Sequence, residues 1–493
     1  MSGMKINYDK SEIFSVGVEL AEQSRIAAIF GCKIGKFPMT YLGLPVSDSK
    51  LSKAQLSYVG DKVRKRLSMW KCDNLSSGGK VVLINSCLSS VPLYTMGIYI
   101  LYEGNYQVID ELRSRFFWQG TSKKRKYHMV KWKVLIRPKD FGGLGILDVR
   151  AMNVCLVAKW LDRLENDVDN MCCDLLRRKY LGQKNIFQIK RSSGSQFWRG
   201  VLGVRKWFQW ERAMKIKSGR QTRFWEDVWL GDRALKIDFH SLYNCCSDQS
   251  VTVEEALRSV GCNLKFRRSL THQEMREWEL MMDALEAVQL NEGRDETLWL
   301  LENKKRYTIK SLYRMMTFGG VRDPMMIEIW KCKVPLKIQI FLWMVFHDRI
   351  QSAFQLRKRK WGGPIECKMC GVIETIDHIM FSCPVARFLW VFLRDILVLG
   401  SIPSSVVELE TILLSRKNRF QPILLFILAG AMWAIWKSRN DLVFEDKVLD
   451  SPTVIIHKTS AFLAHWKKLL GEKKQRQVET VLAEIDGGCA SAT

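Results

Sequence analysis

The sequence predicts an α+β chain that is mainly α. Apolar residues recur every three to four positions along most of its 493 residues, the interval that lines one face of a helix. Clean apolar–polar alternations are few, and they fall in short runs near the N-terminus and in the middle. With 47% apolar residues the chain can bury real cores, and its length leaves room for about three domains.

The first 45 residues alternate strand-like runs (KINY, IAAIFG, TYLGLPV) with polar breaks, so residues 1–48 form a first segment with short strands. From Ser49 the period changes to helix. Leu56, Val59, Val63, Leu67 and Trp70 make one apolar stripe, and Lys62, Arg64, Lys65 and Arg66 lie largely off it. Leu75 to Lys80 (LSSGGK) reads as a break rather than a phosphate loop, because the G-x4-G-K-[ST] spacing is absent. The run FGGLG from Phe141 reads as a glycine turn, since Asp148 falls where a dinucleotide fingerprint needs its last small residue. Residues 49–150 therefore form a helical segment. A helix over 151–164 opens the basic, tryptophan-rich segment 151–300, whose glycine-broken middle stays unassigned to about 240. Segment 301–395 begins with a helix over 309–316 and an apolar stretch over 327–347. Segment 396–482 is helical. It contains the longest apolar run, Ile423 to Trp436, which is too short to span a bilayer and reads as a buried helix. The tail 483–493, ending GGCASAT, is expected to be disordered.

The stretch CKMCGVIETIDHIMFSC carries the clearest chemistry. Cys367, Cys370, His378 and Cys383 read C-x2-C-x7-H-x4-C, which places three thiolates and one imidazole within seventeen residues. That donor set is what tetrahedral zinc prefers. Cys367 and Cys370 can share an ion from a tight turn, with Gly371 after it to permit a left-handed backbone. Pro384 suits the first turn of a helix that would start at Cys383. All four positions are filled by protein, so the expected zinc is structural, with no place for a reacting water.

The formal net charge is +26. An excess of that size points to a polyanion, and nucleic acid is the commonest. Residues 113–139 hold ten Lys/Arg and no acid, Lys123, Lys124, Arg125 and Lys126 among them; residues 175–224 hold fourteen against Glu211 alone. Both stretches carry aromatic rings (Phe116, Phe117, Trp118, Tyr127 and Trp132; Trp198, Trp207 and Trp210), and cations with flat rings suit a groove that grips phosphates and bases. Any single ring is more readily a core residue. A further cation run, Arg357, Lys358, Arg359 and Lys360, abuts the metal turn and reads equally as a contact patch or a solvated loop. The eleven cysteines outside the metal spacing are scattered, which suits a reducing compartment. MSGMKINYDKSEIF has no apolar core and is not a signal peptide, so an intracellular protein of nucleus or cytoplasm is expected, with no membrane partner and no small-molecule substrate. Oligomeric state is open.

Several stretches together resemble the post-catalytic part of reverse transcriptases from plant LINE-type (non-LTR) retroelements. They are GMKINYDKSEIF, FPMTYLGLPV, LSSGGKVVLINSCLSSVPLY, RSRFFWQG, KDFGGLGILDV, SGRQTRFWEDVWLGD, VPLKIQIFLWMVFHDRI, the metal stretch and AMWAIWKSRNDLVF. The resemblance covers about residues 3–445. It implies that 1–48 is a palm remnant with a primer-grip-like segment at Tyr41 to Leu44, that 49–150 is thumb-like and that 151–300 is a connector. It also implies that 301–395 is the zinc-binding domain, with residues 367, 370, 378 and 383 as ligands. In that family GMKIN follows the palm's paired aspartates. No Asp-Asp pair occurs here, and a polymerase palm needs two carboxylates to hold its metal ions.

The expectation is thus a truncated retroelement product that binds RNA or an RNA–DNA duplex with low sequence specificity and performs no catalysis. One alternative is the C-terminal half of a catalytic polymerase whose N-terminal half is missing from the gene model. Another is a domesticated zinc module that binds a protein. His347, beside Asp348 and Arg349, has no nucleophile or metal set near it and reads as structural. Glu226 and Asp227 in FWEDVW are adjacent carboxylates whose motif most plausibly packs its rings.

Overall fold

The computed structural model describes residues 7–70, 75–120, 126–166, 170–182, 184–189, 193–258, 262–415 and 418–490. Helices dominate them, with three two-stranded sheets whose strands run only two to four residues. The chain divides into two compact units: Met1–Val63, Ser90–Val108 and Val149–Met316 in the first, and Arg64–Ser89, Ile109–Asp148 and Thr317–Thr493 in the second.

In the first unit, Glu12–Ile13 pairs parallel with Lys33–Ile34, and the helix Leu20–Phe30 connects them. The run IAAIFG, expected as a strand, is the end of that helix. Its β-branched residues are embedded in LAEQSRIAAIF, where Ala, Gln, Glu and Arg favour helix. TYLGLPV does form strands: Met39–Tyr41 pairs antiparallel with Leu44–Val46. Leu42 (φ 49°) and Gly43 (φ 79°) both take the left-handed backbone that a two-residue hairpin turn requires.

The core of this unit forms on the helix Val149–Glu165, which carries Cys155, Val157, Ala158, Leu161 and Leu164 against Trp198, Phe208, Trp299 and Leu312. Asn153 lies buried in the same helix and is fully partnered. Its amide donates to the carbonyls of Met96 (2.7 Å) and Tyr99 (3.0 Å), and its oxygen accepts from Leu101 N (3.0 Å) and the Tyr106 hydroxyl (2.7 Å). A second cluster gathers Phe224 and Trp225 with Leu242, Val253 and Met281. The third sheet pairs Arg212–Lys215 antiparallel with Glu296–Trp299.

In the second unit LSSGGK is no break. Ser76 caps the helix Ser77–Leu83 by accepting from Gly79 N at 3.2 Å. Gly78 lies in its first turn where Leu336–Phe346 packs, and a Cβ there would meet Lys337 N at 3.0 Å. FGGLG is a turn, as expected. The Gly142 carbonyl accepts from Trp343 Nε1 (2.9 Å) and lies 2.8 Å from His347 Nε2, which places His347 in a structural role. The apolar run at 423–436 extends into a 25-residue helix, Gln421–Glu445. By length and composition that helix could cross a membrane, yet most of its surface is buried within its own unit. It packs against Thr453–Trp466, which packs in turn against Glu472–Ala490. The expected disorder from 483 onward is therefore corrected as far as Ala490. Val478, Val481, Leu482 and Ile485 recur at helical spacing and are buried, so packing holds the last helix.

Candidate metal centre and nucleic-acid interface

The metal stretch opens as a small hairpin. Cys367 N donates to Val372 O at 2.7 Å, and Cys370 N and Gly371 N donate back to Cys367 O at 3.3 and 2.8 Å. Gly371 (φ 77°) supplies the left-handed step that turns both sulfurs to one side. His378 begins a wide helical turn, His378–Ser382, that returns Cys383 N to His378 O at 2.8 Å. Cys383 then immediately precedes the helix Pro384–Leu397, with Pro384 in its first turn.

These turns bring Cys367, Cys370, His378 and Cys383 together, with one donor atom from each lying within 4.8 Å of every other. Cys370 Sγ is 3.2 Å from His378 Nε2. Cys367, His378 and Cys383 are buried and Cys370 half-buried. The Cys383 thiol shares its proton with Cys367, which pulls the Cys367 thiol far below its ordinary range and pushes Cys383 up. Sulfurs around a tetrahedral zinc lie about 4 Å apart, so three thiols outside any disulfide and one imidazole at this separation fit that ion. No open position is left among the four donors.

Glu374 and Arg439 were not singled out from the sequence. Glu374 lies within the metal loop, is 1% exposed, and takes Arg439 Nε at 3.0 Å in a two-pronged ion pair. Its carboxylate also accepts from Ala353 N at 2.8 Å. The signal was available: an acid in the apolar run GVIETIDHIM needs a buried partner. The partner's position 65 residues away was not.

The candidate cations divide by environment. Lys62, Arg64, Lys65 and Arg66 are all exposed on the helix Tyr58–Ser68, and Lys62 Nζ donates to Gly43 O at 3.2 Å. Lys123, Lys124 and Arg125 lie outside the described residues, and Lys126 is exposed. Arg357, Lys358 and Lys360 are exposed beside the metal hairpin, with Lys358 Nζ 4.2 Å from the centre of the Phe354 ring. Arg359 turns inward, donating to Gln355 O and Met129 O, each at 2.7 Å.

Charge counts along the sequence overstate what faces solvent. Arg113 is buried against Asp110 and Trp132, and Arg212 joins Glu165 and Asp227 in a buried cluster. Arg205 donates to the Ile186 and Ile189 carbonyls. The rings divide in the same way. Phe116, Phe117 and Trp198 are core, whereas Tyr127 and Trp210 are exposed. Asp227 is consumed by Arg212 and Arg223, and Glu226 by Lys236 and Tyr243, so the adjacent carboxylates form an internal network.

Residues 307–390 match the family model described as zinc-binding in reverse transcriptase. A protein of Arabidopsis thaliana named for ribonuclease H is 28% identical over 358 residues, 71% of this chain and 57% of that protein. The chain thus spans little more than half of that relative's length. An uncharacterised mitochondrial protein of Arabidopsis thaliana is 26% identical over 145 residues, 29% of this chain and 94% of that protein. The converged Cys3His quartet lies inside the matched stretch. Residues 307–390 are thus similar to the zinc-binding domain of reverse transcriptases, and the rest of the chain is similar to these plant proteins.

Proposed function

We propose that this chain binds nucleic acid, RNA or an RNA–DNA duplex, through phosphate contacts of low sequence specificity and without catalysis of its own. Cys367, Cys370, His378 and Cys383 would hold one structural zinc, which ties the hairpin at Cys367 to the helix start at Cys383. One observation carries the reading: a net charge of +26 on a chain whose metal domain bears exposed Arg357, Lys358 and Lys360 beside its hairpin. Exposed Tyr127 and Trp210 offer flat faces for bases. The paired aspartates of a polymerase palm are absent from these residues, so DNA synthesis is not assigned to them. The four cysteine and histidine ligands, the reducing compartment that scattered free cysteines suit, and the exposed cations belong together in an intracellular nucleic-acid binder.

The test uses the intact chain with metal analysis and fluorescence anisotropy on a short RNA–DNA hybrid. One zinc per chain is expected, with affinity falling steeply between about 50 and 300 mM salt as counterions compete for the phosphates. Replacing Lys123, Lys124, Arg125 and Lys126 together by Ala is expected to lower the salt slope by about 3 to 4. Equal affinity at both salt concentrations would remove the electrostatic basis and favour a protein partner.

A further inference from the structure

The turn that joins the helices Pro324–Lys331 and Leu336–Phe346 lies within the stretch KCKVPLK, residues 331–337, which holds three lysines and no acid. The turn is tightly built. The Gln339 side-chain amide donates to the carbonyls of Cys332 at 2.7 Å and Trp330 at 3.3 Å, and Cys332 N donates to Glu328 O at 2.9 Å. Val334 is buried, and the Cys332 thiol is so shielded from water that its pKa is pushed up to about 12. Lys331, Lys333 and Lys337 are exposed around them. Thiol and apolar side chain are thus drawn inward, and the ammonium groups are left to solvent.

Two remote stretches bring further lysines to this turn. The Lys139 ammonium lies 4.4 Å from the centre of the Trp330 ring. Lys474, near the start of the helix Glu472–Ala490, is exposed and close enough to oppose the rise in the Cys332 pKa. Lys337 in turn lies 5.9 Å from the centre of the Trp433 ring, on the helix Gln421–Glu445. The two rings restrict where the Lys139 and Lys337 side chains go, so these cations lose less freedom when a phosphate engages them. The acids nearby do not cancel the set. Glu328 lies 3.9 Å from Lys331 with both side chains largely exposed, a weak pair. Asp140, beside Lys139, faces Arg322 at 3.5 Å, and Glu472 is followed by Lys473, which offsets its charge.

We infer that Lys139, Lys331, Lys333, Lys337 and Lys474 form one phosphate-binding face, which meets the backbone of an RNA–DNA duplex. The inference rests on the nucleic-acid reading above and gives it a surface assembled from three separate stretches of the chain. Lysines suit contacts of low sequence specificity, because an ammonium meets a phosphate as a point charge and reads no base.

The experiment measures binding of a fluorescently labelled RNA–DNA hybrid to the full chain as salt is raised. Each phosphate contact contributes about 0.9 to the slope of log affinity against log salt. Replacing all five lysines by Gln is therefore expected to lower the slope by about 4. A control removes the same charge elsewhere: Lys159, Lys215, Lys265, Lys304 and Lys310, exposed lysines of the other unit, are replaced by Gln. A slope lowered by the first set at least about 2 more than by the control supports the face. A smaller difference overturns it, since the surplus charge then acts as a whole and not through this surface. A wild-type slope near zero is a different failure, that of the nucleic-acid reading itself, and the face falls with it. Zinc content and far-ultraviolet circular dichroism verify the fold. Should the fivefold variant lose either, the fourfold variant that keeps Lys139 takes its place, against a control that keeps Lys159. The same difference of at least about 2 is then required of it.

Discussion

Asp227 stays charged while having no access to solvent, and its partners explain how. Burial alone would raise its pKa, but the Arg212 and Arg223 guanidinium groups outweigh that and hold the carboxyl below its usual range. Arg212 Nη2 reaches Glu165 at 2.7 Å and its Nη1 reaches Asp227 at 2.7 Å, so one buried arginine satisfies two buried acids. Arg212→Met is expected to lower stability by about 3–5 kcal/mol in urea unfolding, because both acids lose a buried partner. The sign of the pH dependence follows from the depressed pKa. The folded chain holds this proton more weakly than the unfolded chain, so the stabilisation is complete above the unfolded carboxylate range. It is lost as pH falls through the folded value. Wild-type urea midpoints should therefore drop below about pH 4, and Asp227→Asn should start lower and drop less. At this scale the sequence was legible where donors sit close in the chain. The Cys3His spacing is local, whereas the partners of Glu374 and Asp227 are set by tertiary folding.

The turn around Gly143 shows what an element can demand of one residue. A Cβ there would lie 1.9 Å from the Arg137 carbonyl oxygen, so no side chain fits without opening the turn that holds Trp343 and His347. Gly143→Ala is expected to lower stability by at least about 2 kcal/mol in urea unfolding. Gly362→Ala, where an added Cβ meets nothing within 4 Å, should stay within about 0.5 kcal/mol. Helices with long stripes were legible: 151–164 appears as Val149–Glu165, and 309–316 as Ile309–Met316. Short runs were not. IAAIFG satisfies either period over six residues, and only its helix-forming neighbours decide it. Gly78 made LSSGGK look like a break because close approach by a distant helix leaves no local mark.

For the whole molecule, surplus charge was legible in sign and only partly in place, since pairing with acids and backbone carbonyls is decided by folding. The metal reading leads to a molecule-wide test. Chelation of zinc, or Cys370→Ser, is expected to speed hydrogen exchange over residues 360–390, with the core around Val149–Glu165 keeping its protection. Affinity for the RNA–DNA hybrid should fall with it. Uniform loss of protection across the chain would show that the metal stabilises more than its own lobe.

The interleaving of the two units has a consequence for how the protein is made. Residues 64–89 and 109–148 belong with residues from Thr317 onward. On the ribosome, the helix Ser77–Leu83 emerges long before Leu336–Phe346, the helix it packs against, has been synthesised. Until then its apolar face has no native partner and is open to chaperones and to other nascent chains. A premature stop between the two would therefore do more than delete the Cys3His lobe. It would also leave two early stretches of the chain without their partners.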